Sequence, residues 1–381
     1  MKTDLLYNFI FKLVHRLLQF PFLCFVYNFI LYYYYYSLSL LTLFHFSLTL
    51  FLSNLLPSRS PYTHIIFNTM ITTLFEYGCF LLFISLSLYY GFHGCAYIYR
   101  YFFVTTEKVL QRYQAKSKVR THVILTGGTS DLGIELTKLL LRDTDFMIVR
   151  IQRCETAADL YMGRDVAERR RLCVIPYNGE LPIDDQIKTK LVDLNLTLVP
   201  ITMIFHVIGV VPRNETISRS QLWTINYLNV RAIDDFFVPL MNATSYNNQS
   251  ANIARVYVSS IISSFPSLML KDYSNTKAAL EHYTSASRSQ LRILGSFNKT
   301  IISVLKPGVF SSKSTIAETQ KEALVPSWLI CTPKEVAHEA IIHLQNDNYH
   351  GHWRHIVTHC LFTIFIYSTQ FGWFIRSILR A

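Results

Sequence analysis

The sequence predicts an α/β domain built on a doubly wound parallel sheet, preceded by a membrane-spanning region and followed by an apolar tail. Three observations lead there. Only seven charged residues (Lys2, Asp4, Lys12, Arg16, Arg59, Glu76, Arg100) fall in positions 1–106, although the chain holds 36 Lys and Arg and 25 Asp and Glu over 381 residues. From His122 onward, short β-rich runs alternate with helical stretches, the pattern of strand–helix–strand units. Those runs are almost continuously apolar, as strands covered on both faces must be.

In chain order, residues 17–56 are nearly all apolar and include LYYYYYSLSLLTLFHFSLTLFLS, and a second apolar stretch covers roughly 77–104. Each can supply one or two spans, since about 20 residues cross the hydrocarbon core. The low complexity of 32–54 raises a second reading, in which 1–69 is translated non-coding sequence and Met70 is the start. This makes 1–106 the anchor region and 107–120 a basic linker. Lys108, Arg112, Lys116, Lys118 and Arg120 there place the following domain in the cytosol by the positive-inside rule. The domain itself is expected over 121–345. Its strands are expected at 122–126, 146–151, 172–176, 201–206, 254–260 and 300–306, and its helices at 131–142, 184–192, 219–241, 273–293 and 333–345. Residues 243–252 read as a polar loop and 309–332 as a long, lid-like connection. Residues 346–381 form the apolar tail, expected to dock at a membrane interface.

Composition excludes several classes. At 51% hydrophobic and 16% charged residues the chain has enough apolar surface to fold. Residues 107–345 contain no spanning stretch, which excludes a polytopic transporter. The net charge of +11 is no nucleic-acid footprint, because the basic residues flank apolar segments and no nucleic-acid motif occurs. Attraction to anionic lipid is the better reading. Seven scattered cysteines without a CxxC read as reduced thiols, and the five Asn-x-Ser/Thr sequons as chance. His355 and His359 stand one helical turn apart with no carboxylate beside them, so no metal site is expected.

Two motifs carry chemistry. TGGTSDLG, Thr126 to Gly133, directly follows a strand and opens a helix, where glycines and backbone N–H groups can cradle a pyrophosphate. In YSNTK, Tyr273 and Lys277 lie one turn apart on a helix face, and a neighbouring ammonium would lower the phenol pKa toward working pH. Ser260 ends a strand 13 residues before Tyr273, and Asn226 stands 34 residues before Ser260.

Together, Thr126-Gly127 with Gly133, Asn226, Ser260, Tyr273, Lys277 and Pro307-Gly308 resemble the classical short-chain dehydrogenase/reductase family in order and near-spacing. The resemblance covers about 121–345. It implies a Rossmann-type seven-stranded sheet, a nicotinamide cofactor and reversible hydride transfer to a carbonyl. Tyr273 would then be the proton donor and Ser260 would hold the carbonyl oxygen. Lys277 would hold the nicotinamide ribose, and Asn226 would support a water-linked proton relay. The cofactor would lie on Thr126, Gly127, Thr129, Ser130, Asp131, Leu132, Gly133, His206, Gly209, Tyr273, Lys277, Pro307, Gly308 and Val309. Arg150 and Arg153, with no acid at the end of the second strand, favour NADPH over NADH.

Two departures stand out. Asp131 replaces the family's middle glycine, either crowding the pyrophosphate or capping the helix, and His206-Val207-Ile208-Gly209 replaces Asn-Asn-Ala-Gly. Within the family the chain looks nearest to 3-ketodihydrosphingosine reductases, on THVILTGGTSDLG, IFHVIG and TINYL, with hydroxysteroid dehydrogenases second. This implies a lipophilic substrate, an endoplasmic-reticulum membrane and room for a homodimer. A catalytically degenerate fold that binds or scaffolds at the membrane is the alternative, favoured by Asp131.

Overall fold

The computed structural model describes residues 77, 99–100, 103–115, 120–153, 170–182, 189–190, 199–211, 217–247, 252–265, 270–293, 299–312, 326–349, 351–359 and 361–363. The chain divides into two compact units, Met1–Tyr99 and Arg100–Ala381, and of the first only Tyr77 and Tyr99 are described. Nearly all of the predicted anchor, the helix at 184–192 apart from the helical Thr189 and Lys190, and most of the loop at 309–332 lie outside the described residues. Among the described residues no helix is long and apolar enough to cross a membrane.

Seven strands make one sheet: β1 (His122–Thr126), β2 (Met147–Gln152), β3 (Leu172–Pro176), β4 (Ile201–His206), β5 (Ile253–Val258), β6 (Thr300–Leu305) and β7 (Asn348–Tyr349). The order is β3-β2-β1-β4-β5-β6-β7 and every pairing is parallel. The six predicted strands are present within two residues at either end. The helices are α1 (Thr106–Gln111), α2 (Asp131–Asp143), α3 (Arg219–Trp223), α4 (Asn229–Asn247), α5 (Lys271–Ile293) and α6 (Pro333–Ile342).

Alternation along β1 shows why the sheet is covered twice. Val123 and Leu125 pack with Leu132, Leu136 and Leu140 of α2 and Ala337 and Ala340 of α6. Ile124 faces the other way, toward Ile233, Phe237 and Met241 of α4. Each such side chain contributes about 1.5–3 kcal/mol on burial, so a polar residue in β1 would be felt on whichever face it met. The crossover order reverses between β1 and β4, and the crevice at this point is where ligands sit in open α/β sheets.

Four boundaries differ from expectation. The basic linker contains α1, capped by Thr105 accepting from Lys108 N at 3.3 Å, and its Val109 and Leu110 join the core with Tyr113. The loop expected at 243–252 starts later, because α4 runs through Asn247. The helix expected at 219–241 is interrupted by a π-helical turn, Thr224–Leu228. The tail expected from 346 begins inside the domain. There Asn348 pairs with Val304 in the sheet, Tyr349 donates to Ala340 O at 3.0 Å, and residues 353–359 form a helical stretch that buries His355, Val357 and Thr358. An aromatic, apolar segment reads as a membrane-docking tail until a sheet edge is available to receive its first residues.

Candidate active site

The turn after β1 is made by three glycines. Gly127 has φ +70°, and a Cβ on it would stand 2.7 Å from Ile208 N in the loop after β4. A Cβ on Gly133 would meet Gly127 O at 2.4 Å, so helix and strand end approach as only glycine allows. Ser130 caps α2. Its Oγ accepts from Gly133 N at 3.0 Å and donates to Gly127 O at 2.7 Å. The capping role considered for Asp131 therefore belongs to Ser130, and Asp131 is the first helical residue, its carboxylate in the first turn. Thr126 and Leu132 are buried, while Thr129 is exposed at the tip of the turn.

Two predicted cofactor contacts are reassigned. Arg150 is fully buried and donates to the Gly128 carbonyl, because its place in β2 opposite Leu125 aims it under the turn rather than out of it. Arg153, just past β2, is exposed, with Glu180 Oε1 at 4.0 Å. His206, at the end of β4, is fully buried with Nε2 at 2.9 Å from Asp234 Oδ1, and its ring stacks on Tyr257 at 4.8 Å. Its side chain thus stabilises the sheet instead of meeting a cofactor. Asp234 also accepts from Tyr257 OH and, at 3.0 Å, from Tyr283 OH.

The predicted catalytic residues do come together. Asn226 lies in the π-helical turn, a local widening common at functional positions. Its Oδ1 accepts from Val210 N at 2.8 Å, and its Nδ2 donates to Val210 O at 3.0 Å and to Thr276 Oγ1 at 3.1 Å. Lys277 Nζ donates to Val258 O at 2.8 Å and would stand 2.9 Å from a Cβ on Gly209, so that glycine leaves room for the ammonium. Ser260 opens a 3-10 turn, Ile261–Ser264, and hydrogen-bonds the Tyr273 hydroxyl. Both Ser260 and Tyr273 are half-buried. Ser274, next to Tyr273, donates to Ile262 O at 3.0 Å and Phe265 O at 3.1 Å, which locks α5 against the Ser260 turn.

Lys277 was expected to lower the Tyr273 pKa; burial and Ser260 are the two influences resolved on the phenol here. Burial pushes the phenol up to about 12, against the lowering effect of the Ser260 hydrogen bond. The Lys277 ammonium lies 5.8 Å from the Tyr273 ring centroid and is itself held down to about 8 by burial, with Glu281 acting in the opposite direction. Proton release from Tyr273 therefore depends on what fills the site.

Pro307, Gly308 and Val309 follow β6. Pro307 O accepts from Ile261 N at 3.1 Å, and a Cβ on Gly308 would lie 3.0 Å from the His355 ring. His355 Nε2 stands 3.3 Å from Val309 O. Sequence reasoning missed Val258, Thr276 and Glu281, and weighed His355 only as a metal ligand. Of these only Glu281 carried a signal, lying one turn beyond Lys277 on the same helix face. Among the described residues no group of three or more His, Cys, Asp or Glu could hold a metal ion.

No family model matches the chain, and no curated protein matches it. Solved structures do. The chain is similar to a short chain dehydrogenase/reductase family protein at 17% identity, over 60% of this chain and 91% of that one, with a TM-score of 0.47. It is also similar to L-sorbose reductase from Gluconobacter frateurii, solved with NADPH and L-sorbose, at 13% identity over 61% and 96% of the two chains, TM-score 0.48. A short chain dehydrogenase from Burkholderia cenocepacia in complex with NADP gives 15% identity over 64% and 93%, TM-score 0.48.

Proposed function

We propose that the chain is a membrane-anchored, NADPH-dependent reductase of the short-chain dehydrogenase/reductase family, acting on a carbonyl of a lipophilic substrate. One observation carries the reading. Ser260, Tyr273, Lys277 and Asn226 converge beyond the carboxyl ends of β4 and β5, next to the crevice where the strand order reverses.

The residues present fit a dinucleotide. Gly127, Gly128 and Gly133 let the turn close against Ile208, Arg150 and its own backbone, which gives it the tight shape a pyrophosphate cradle needs, and the capped N-terminus of α2 presents its amides there. Gly209, Lys277, Pro307, Gly308 and Val309 would hold the nicotinamide half, and the exposed Arg153 would leave Glu180 to reach a 2′-phosphate. NADPH, when bound, supplies the hydride.

The chain supplies the proton and the fixed dipoles. The Tyr273 phenol, kept protonated by burial, donates to the carbonyl oxygen as charge develops there, and Ser260 donates a second hydrogen bond to the same oxygen. Lys277, drawn off Val258 O, then stabilises the phenolate left behind, and Asn226 holds the Val210 backbone that shapes this corner.

A lipophilic substrate is supported by the apolar rim. Phe265, which ends the Ser260 turn, lies 4.9 Å from the His359 ring and 6.3 Å from that of Phe362, and Phe362, Leu361 and Trp328 are exposed. With the apolar stretches at 17–56 and 77–104, this favours a lipophilic carbonyl reached from a membrane, and the resemblance of THVILTGGTSDLG, IFHVIG and TINYL puts ketosphinganine first and ketosteroids second, with an endoplasmic-reticulum location and the catalytic domain on the cytosolic side.

Asp131 supports a second reading, a fold that binds at the membrane without turnover, because its carboxylate sits in the helix turn that would face the pyrophosphate. A cofactor-oxidation screen against ketosphinganine, ketosteroids, retinal and acyl ketones separates the two. NADPH oxidation with one lipophilic carbonyl supports the reductase. Absence of both oxidation and NADPH binding would leave the second reading.

A further inference from the structure

We infer that Glu281 is a positioning residue of this site, tying the Ser260 turn and the end of β6 to the helix face that carries Tyr273 and Lys277; the inference rests on the reductase reading above. Glu281 follows Tyr273 and Lys277 at successive four-residue steps along α5, so the three side chains share one helix face. Its Oε1 accepts from Ser259 Oγ at 2.7 Å and from Ser263 Oγ. These two serines flank Ser260, and Ser263 Oγ lies 2.5 Å from Ser260 O. Its Oε2 lies 2.5 Å from Lys306 Nζ, one residue before the Pro307-Gly308-Val309 segment. A single carboxylate thus bridges three chain segments that each deliver a site residue.

The arrangement is partly screened from water, with the Glu281 and Lys306 side chains 19% and 14% exposed, so its hydrogen bonds are charge-assisted and geometrically demanding. Without the carboxylate, Lys306 loses its ion-pair partner, and Ser259 and Ser263 lose the acceptor that aims the turn. The same charge also favours the protonated form of Lys277, opposing burial. The charged and titratable groups facing this centre are Tyr273 and Lys277 on α5, Lys306 at the end of β6, His359 on the C-terminal helical stretch, and Arg288 further along α5.

The test is the pH dependence of NADPH oxidation in full-length wild type, Glu281→Gln and Glu281→Asp. Glutamine keeps an acceptor for the serines but removes the charge. The alkaline limb in Glu281→Gln is expected to move to lower pH by roughly one pH unit, because the ammonium loses its nearby anion. Glu281→Asp is expected to restore much of the limb. A limb that stays in place in Glu281→Gln, even with a lower plateau, reduces Glu281 to a structural tie and overturns the inference. If the wild type neither binds nor oxidises NADPH, the reductase reading fails separately. Hydrogen exchange then decides the tie: amides of 259–264 should exchange about tenfold faster in Glu281→Ala, and unchanged exchange overturns it.

Discussion

The guanidinium of Arg150 fills the space that Gly128 leaves open. A Cβ on Gly128 would stand 2.4 Å from Arg150 Nε and 2.8 Å from Gln152 Oε1. Arg150 also donates to the Gly128 carbonyl, so the second strand supports the glycine-rich turn from below. Gly128→Ala must displace a buried arginine and is expected to cost about 1–3 kcal/mol in denaturant unfolding. Arg150→Ala should weaken NADPH and NADH binding alike, because it removes support from the whole turn. Arg153→Ala should weaken NADPH alone and narrow the preference. Titrating both cofactors into both variants checks this, and a selective NADPH loss in Arg150→Ala would contradict the geometry.

Ser130 and Asp131 separate by a different pair of variants. Ser130→Ala removes the cap of α2 and should cost about 1 kcal/mol of stability. Asp131→Gly leaves that cap intact and removes a negative charge from the first turn, so NADPH should bind more tightly. Unfolding curves and cofactor titrations on both proteins read the two effects independently. An NADPH dissociation constant that stays level or rises in Asp131→Gly would show that the carboxylate does not crowd the cofactor.

The pH profile follows from burial. Lys277 is held down to about 8 and Tyr273 is pushed up to about 12. On raising the pH, Lys277 loses its proton first, while the phenol keeps the proton it must donate. Turnover is therefore expected to decline along a limb centred near pH 8, at limiting substrate. A limb that disappears in Lys277→Met, together with most of the activity, assigns it. A limb unchanged in position in that variant would assign it to another group.

Asp234 anchors the pairing of β4 with β5 through His206 and Tyr257. Burial raises its pKa, but His206, Arg255 and the Tyr257 hydrogen bond together hold it below the ordinary 3.8. A depressed folded-state value stabilises the fold above pH 3.8, and this contribution is lost as the pH falls through the folded-state value. Asp234→Ala breaks the buried pair and should cost about 3–5 kcal/mol at pH 7. Denaturant midpoints of wild type and variant should converge in acid. A constant gap down to pH 3 would rule out a role for the charge.

Periodicity made the sheet legible because both-face burial leaves a local signature, as in Val123, Ile124 and Leu125. It could not reveal β7, two residues long, or α1, whose six residues sit inside a basic run. The candidate tetrad was legible because Tyr273 and Lys277 share a helix face and Asn226 and Ser260 keep a fixed order. His206 and Asp234 were not, since they stand 28 residues apart and meet only once β4 is laid beneath α4. Arg150 was misread for a related reason. Spacing places it near the end of β2, but only the register with β1 shows which way it points. The raised Tyr273 pKa is a property of burial, which no motif encodes.

The most direct test of the account compares wild type with Tyr273→Phe in two measurements on the same proteins, NADPH affinity by fluorescence titration and NADPH oxidation with the best lipophilic carbonyl. The phenyl ring still packs, so affinity should hardly change, while turnover should fall about a hundredfold or more with the loss of the positioned acid. Turnover within a few-fold of wild type in Tyr273→Phe would contradict the assignment of the proton donor, and with it the proposed reaction.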